Sequence, residues 1–177
     1  MDFFKQNDEI TLPPQPVPLV AENYFITKEP DTTPLPTFEG SKDKLPLPAS
    51  IGRVCPHPCE TACRRTKVEE PISIAYLKYF AADRVLADNP YIPTPEKSSG
   101  KRVAIIGGGP AGLTAAYFLA LKGHAVKIYD AMPKMGGMLR YGIPEYRLPK
   151  KVLDAEIAEI ASVGVEMINN VKICSWV

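Results

Sequence analysis

Apolar positions from Lys101 onward fall into short runs and helical stripes in strict alternation. Arg102-Val103-Ala104-Ile105-Ile106 reads as a strand, Leu113 to Lys122 as a helix closed by Gly123, and Ala125 to Asp130 as a second strand. Together they predict a β-α-β unit of roughly thirty residues. A loop from Ala131 to Leu148 leads to Pro149 and a helix predicted over Lys150 to about Val163, apolar at Val152, Leu153, Ile157, Ile160 and Ala161. Gly164 then opens a third short strand through Val165 and Met167.

The front of the chain is patterned differently. Residues 51–88 read as helical, with Cys59 and Cys63 one turn apart and Pro71 suited to the first position of a helix running from Ile72 to about Leu86. Asn89-Pro90-Tyr91-Ile92-Pro93-Thr94-Pro95 ends that helix, and Glu96 to Gly100 is a polar linker that marks a domain boundary. Residues 1–50 hold nine of the nineteen prolines and no sustained period, so Pro13-Pro14-Gln15-Pro16-Val17-Pro18 is expected to be extended. Such a segment is either a disordered tail or an arm laid across another subunit, anchored by Phe3, Phe4, Tyr24, Phe25 and Phe38. The recurring Ile10, Leu12, Val17, Leu19, Val20, Phe25 and Ile26 favour the arm. The reading is an α/β chain in three parts: a Pro-rich extended arm (1–48), a small helical segment (49–96) and a partial Rossmann-like nucleotide-binding domain (97–177).

Composition narrows the function classes. With 45% hydrophobic and 23% charged residues, wholesale disorder is excluded. The net charge of +1 leaves no basic stripe for a nucleic acid. Val103 to Leu121 carries no charge, but Gly107-Gly108-Gly109-Pro110 would break a lone membrane helix, so no span is expected. Met1 to Lys5 lacks a basic start followed by an apolar run, and a cytoplasmic protein is expected. Three of the four cysteines, Cys55, Cys59 and Cys63, crowd into one short stretch, which reads as metal ligation in a reducing compartment.

The strongest chemistry lies at Gly107-x-Gly109-x-x-Gly112, between the first strand and its helix. The first glycine permits a tight turn, the second lets backbone approach a pyrophosphate, and the third lets helix and strand pack closely. Helix amides then face the phosphates. Asp130 ends the second strand, where a carboxylate can accept hydrogen bonds from an adenosine ribose. FAD and NAD both use this unit. A carboxylate at Asp130 would repel a 2′-phosphate and argues against NADP, while Gly136-Gly137 points to FAD by letting backbone run beside the flavin-side phosphate.

The runs Gly107-Gly-Gly-Pro-Ala-Gly-Leu113, Gly136-Gly-Met-Leu-Arg-Tyr-Gly-Ile-Pro144 and Tyr146-Arg-Leu-Pro149 resemble the FAD domain of the glutamate synthase small subunit. The wider group includes the N-terminal half of dihydropyrimidine dehydrogenase and related NAD(P)H:ferredoxin-type flavoproteins. Gly52-Arg-Val-Cys-Pro-His-Pro-Cys-Glu-Thr-Ala-Cys-Arg64, with Glu70 to Leu77, resembles the iron–sulfur helical region before that domain. The resemblance covers about residues 49–173. It implies that Gly107, Gly109, Pro110, Ala111 and Gly112 hold the FAD pyrophosphate and Asp130 its ribose. Gly136, Gly137 and Met138 would lie beside the flavin phosphate and ribitol, and Arg147 would be a polar FAD contact; read alone, Arg147 is a surface arginine. Cys55, Cys59 and Cys63 would ligate [4Fe-4S] clusters. Read without the resemblance, the cysteines could instead form a zinc site with His57 or remain free thiols.

Two departures from the family shape the expected function. No cysteine precedes Cys55, three thiolates cannot saturate a four-iron cluster, and Lys78 stands where some relatives carry a Gln or Glu able to ligate. The missing ligands are expected from a partner subunit, or from an acid such as Glu69 or Glu70, or the cluster is absent. Cys174 reads as a core residue. Family members also continue into an NAD(P)H domain, so this chain is expected to be a fragment, a truncated product or a small subunit, and not a competent dehydrogenase alone. The function so read is an electron-transfer component of a larger flavin/iron–sulfur oxidoreductase whose other subunits supply cysteines and the NAD(P)H site. Two rival readings are a structural or assembly subunit that keeps the fold without the chemistry, and an NAD-binding module with a zinc loop.

Overall fold

The computed structural model describes residues 44–88 and 92–173, which lie within the second of the chain's two compact units, Pro36–Val177. The expectations for residues 1–43, for the helix end at Asn89-Pro90-Tyr91 and for Cys174 fall outside the described residues.

The cysteine segment forms α1 (Pro48–Val54), α2 (Pro58–Thr61), a 3₁₀ turn (Arg64–Lys67) and α3 (Ile74–Asp88). The expected run of helix over 51–88 is therefore broken twice. Pro56 and Pro58 remove backbone donors, and His57 between them takes a left-handed φ of 44°. α3 starts later than the sequence suggests, because the Ile74 N–H is taken by Ile72 O in a tight turn and Leu77 N–H to Ser73 O follows it.

The nucleotide unit follows as β1 (Arg102–Ile106), α4 (Pro110–Leu121), β2 (Ala125–Tyr129), α5 (Met138–Tyr141), α6 (Lys150–Ser162) and β3 (Val165–Ile168). Both strands of the β-α-β unit fall where their apolar runs place them. Pro110 supplies the first helical position of α4, and Gly123 follows its end with φ 74°. α5, inside the expected loop, is too short to leave a periodic signal; the N–H groups of Arg140 and Tyr141 both bond to Gly137 O at 3.0 Å. The three strands are parallel in the order β1-β2-β3, with Val126 opposite Val103 and Val165.

Val126, Ile128 and Val165 project into a core shared with Leu113, Ala116, Tyr117 and Ala120 of α4 and Leu153, Ile157 and Ile160 of α6. The alternate positions Ala104, Ile106, Lys127 and Glu166 remain exposed, Ile106 at 52%, and Lys127 pairs with its register partner Glu166 at 2.8 Å. One face of the parallel sheet is thus uncovered among the described residues.

The helical segment does not stand apart. Leu47, which the sequence assigned to the arm, is buried in the core of the nucleotide unit, with Ile51 and Val54 of α1 packed against it. Ala49 of α1, Ala82 of α3 and Val152 of α6 form a second small cluster. The linker is pinned as well: Glu96 N–H bonds to Leu121 O at 2.8 Å and Ser99 N–H to Gly123 O at 2.9 Å.

α1 and α3 are joined by Arg53, whose guanidinium donates to both oxygens of Asp83 (2.8 and 2.5 Å) and lies 4.9 Å from the centre of the Tyr79 ring. The Asp83 side chain is only 5% exposed. Removing one member of a buried pair leaves the other charge uncompensated. Asp83→Ala is therefore expected to lower stability by about 3 kcal/mol, measured by urea denaturation of the full chain; a loss within error of zero would show that the pair does not join the two helices.

Candidate functional site

At the carboxyl ends of the strands the chain folds two glycine turns against each other. Gly107 N–H bonds to Tyr129 O at 2.8 Å, so the first turn is tied to the end of β2. Gly108 is held on both sides: its N–H donates to Asp130 Oδ2 at 2.5 Å and its carbonyl accepts from Gly136 N–H at 2.7 Å. The second turn, Gly136-Gly137, is thereby laid over the first.

Two of these positions can only be glycine. A Cβ on Gly112 would run into the Gly107 carbonyl, so any side chain there would push α4 off the turn. Gly137 has φ 49°, and a Cβ on it would lie 2.7 Å from the Gly109 Cα. Gly109 itself is different. A Cβ there would meet only the Gly137 Cα, at 3.9 Å, so the space in front of it is open. The result is a cradle of bare backbone, half-buried and open to the outside at Gly109.

Asp130 is buried, at 9% exposure, and its second oxygen accepts from Met132 N–H at 2.7 Å. The carboxylate that the sequence assigns to a ribose is therefore also what shapes the turn. Each oxygen keeps lone-pair capacity beyond its one backbone donor. Met135, absent from the sequence-derived site, fills the space beside Gly108, where a Cβ would strike its sulfur. Lys150 Nζ donates to the carbonyls of Leu139 (3.0 Å) and Ile143 (2.6 Å) and so holds α5 behind the second turn.

Helix ends distinguish this site from the rest of the molecule. The first amides of an α-helix have no partner inside the helix and carry the positive end of its dipole. α1 receives the carboxylate of Glu156 on Ala49 N and Ser50 N, α3 that of Glu60 on Ala75 N, and α6 that of Glu145 on Lys150 N. α4 has Gly109 at its N-cap, with no side-chain cap, and its first backbone bond is Leu113 N–H to Gly109 O. Among the described helices longer than four residues, α4 alone has no carboxylate on its first turn.

The structure brings Gly107, Gly109, Pro110, Gly112, Asp130, Gly136 and Gly137 into this one cradle. Ala111, the second residue of α4, is exposed at its mouth, and Met138, which opens α5 after Gly137, is 71% exposed. Arg147 lies on an exposed turn before α6, with no partner for its guanidinium among the described residues. The open, anion-seeking backbone fits a dinucleotide diphosphate.

The cysteines fit a cluster less completely. Cys55 follows α1 as its C-cap, Cys59 lies in α2, and Cys63 precedes the 3₁₀ turn. Among the described residues no three His, Cys, Asp or Glu side chains converge as a metal site. His57 faces Glu60 at 3.9 Å. The Cys63 thiol is nevertheless shifted in the thiolate's favour: hydrogen bonding from the backbone of Ile72, then of Arg65 and Thr66, draws its pKa below the ordinary 9.0. His57 N–H similarly points at Cys55 Sγ, at 3.4 Å. These are donors with their backbone support in place, short of a full ligand set.

Comparison with known proteins finds two family matches along the chain. Residues 18–90 match the family of dihydropyrimidine dehydrogenase domain II, 4Fe-4S cluster, and residues 105–154 match the NAD(P)-binding Rossmann-like domain. The first match begins well inside the Pro-rich segment, further toward the N-terminus than the motif resemblance reached. The NADPH-Fe(3+) oxidoreductase subunit beta of Geobacter sulfurreducens is 47% identical over 137 residues, which cover 75% of this chain and 20% of that protein. The NAD-dependent dihydropyrimidine dehydrogenase subunit PreT of Salmonella typhimurium is 41% identical over 77% of this chain and 34% of its own length. The glutamate synthase [NADPH] small chain of Mycobacterium tuberculosis is 38% identical over 68% of this chain and 25% of its own. The chain thus spans between 20% and 34% of the length of these curated relatives, and its resemblance to their group, read from the motifs, holds. No described helix is long and apolar enough to cross a membrane.

The backbone donors around Cys63 make a direct prediction. In metal-free chain, the pH midpoint of Cys63 alkylation, followed by peptide mass spectrometry, is expected to fall below 9.0, the ordinary thiol value. A midpoint at or above that value would contradict the donor arrangement.

Proposed function

We propose that this chain, related to the small and beta subunits of flavin and iron–sulfur oxidoreductases, is an electron-transfer component that binds FAD at the glycine cradle. Its cysteine segment contributes ligands to a [4Fe-4S] cluster that other polypeptide completes. The observation that carries the reading is the α4 N-terminus. Among the described helices longer than four residues it is the one with no carboxylate on its first-turn amides, and it opens onto side-chain-free backbone at Gly109.

In this reading the diphosphate takes the place that Glu156, Glu60 and Glu145 occupy at the other helices. Gly107, Gly109 and Gly112 admit it, and Asp130 adds ribose contacts while continuing to hold Gly108 and Met132. Gly136, Gly137 and Met138 lie along the flavin side, and Arg147 is free to reach a polar group of the cofactor. Cys55, Cys59 and Cys63 supply thiolates. The bound cofactors supply the redox chemistry, and the protein's part is binding, orientation and electrostatics. The packing of α1 on α6 and on the core supports the pairing of the two sites in one unit. The uncovered sheet face and the incomplete thiolate set support a larger assembly, in which the NAD(P)H site belongs to other polypeptide.

The test uses one substitution and two readings. In Gly109→Val the new side chain has room within the fold but enters the space the diphosphate would fill. The variant is expected to keep the thermal stability of the ligand-free chain and to lose flavin on gel filtration, while wild type retains it. Equal flavin retention by both would place the nucleotide elsewhere. Iron and acid-labile sulfide, measured on the co-purified complex, test the cluster separately.

A further inference from the structure

The helix α6 carries an acidic residue where its apolar stripe requires a core residue. Val152, Leu153, Glu156, Ile157 and Ile160 form the buried face, and Glu156 is fully buried. Its two oxygens are divided between two donors from a distant part of the chain: Oε1 accepts from Ala49 N–H at 2.7 Å and Oε2 from Ser50 N–H at 2.9 Å. The Ser50 hydroxyl is buried in the same place and has no hydrogen-bond partner there. These contacts cross from the cysteine segment to the nucleotide unit, through an otherwise apolar seam of Leu47, Pro48, Ala82 and Val152.

We propose that Glu156 is a proton-operated latch, which docks the cysteine segment on the nucleotide unit when its carboxyl is protonated and loosens that docking when it ionises. The surrounding charges leave the carboxylate without a cation. Arg53, the charged residue of α1, is committed to Asp83 of α3 and to Ala49 O. Glu159, on the same helix as Glu156, adds a like charge, and Tyr79 of α3 has its phenol pushed up by burial, so it stays neutral. An ionised Glu156 therefore has only the two N–H groups at the start of the seven-residue α1 to offset the loss of water and of any nearby cation, a poor exchange for a fully buried charge.

Burial accordingly raises the carboxyl from 4.5 to about 7, against the lowering effect of Ser50 and Ala49. The sign follows from linkage. A docked state with the higher pKa holds the proton more tightly than the undocked one, so docking is strongest below the ordinary carboxylate range. It weakens as pH rises toward the docked value, by up to about tenfold per pH unit, and is level above it. The latch needs no cofactor. It rests on the proposed function only for its use there, setting the separation between the cysteines and the cradle.

The experiment is residue-resolved hydrogen exchange on the full chain between pH 5 and pH 8, corrected for intrinsic exchange. The Ala49 and Ser50 amides are expected to lose protection by at least about tenfold between the ends of that range. In Glu156→Gln, which keeps the acceptor but cannot ionise, their protection is expected to be independent of pH. Wild-type protection that is flat, or that falls equally in Glu156→Gln, overturns the latch. Should the variant not fold, the carboxyl ¹³C shift of Glu156 in wild type decides: a midpoint near 7 supports the latch and one near 4.5 overturns it. Flavin content of the same samples keeps the two readings apart, since missing flavin sinks the redox function and leaves the exchange result standing.

Discussion

Backbone packed directly on backbone at the carboxyl ends of β1 and β2 is the constraint on which the rest of the structure depends. Gly112 must pass the Gly107 carbonyl for α4 to sit on the sheet, and Gly137 must reach the Gly109 Cα for the second turn to lie over the first. Asp130 holds the arrangement by taking the Gly108 and Met132 amides on its two oxygens. A site built this way has few side chains to offer. It offers oriented N–H groups and the positive end of a helix, which is what a diphosphate needs.

The same electrostatic requirement recurs through the molecule with a different solution. The residues that precede α1, α6 and the 3₁₀ turn provide no side-chain cap, and glutamates from other segments take over at α1, α3 and α6. Because Glu156 and Ala49 are 107 residues apart, capping α1 also fastens the cysteine segment to the nucleotide unit. Local helix stability and long-range placement are here one interaction. Leu47 in the common core adds apolar packing to the same junction.

Much of this was legible in the sequence, for identifiable reasons. β1 and β2 are short runs of β-branched and apolar residues bounded by glycine, and Gly107-x-Gly109-x-x-Gly112 between them fixes what kind of turn joins strand to helix. The cysteine segment is legible as chemistry but not as shape: Pro56 and Pro58 lie inside a helical pattern that their missing donors interrupt. α5 has four residues and so no period to read. The boundary at residue 96 looked clean because Glu96 to Gly100 is polar, yet those residues are tied to the end of α4 by backbone bonds that composition does not reveal. Glu156 did leave a sign, an acid on the apolar stripe of α6, whose partners at Ala49 and Ser50 only the fold could supply.

Equilibrium binding of FAD to the full chain, followed by quenching of flavin fluorescence with NADP⁺ added as competitor, tests the central claim most directly. If the cradle takes the cofactor diphosphate as proposed, the buried Asp130 carboxylate would repel an additional phosphate on the ribose beside it. FAD is predicted to bind and to stay bound as NADP⁺ is raised. Displacement of the flavin by NADP⁺, or no binding of FAD at all, would contradict it.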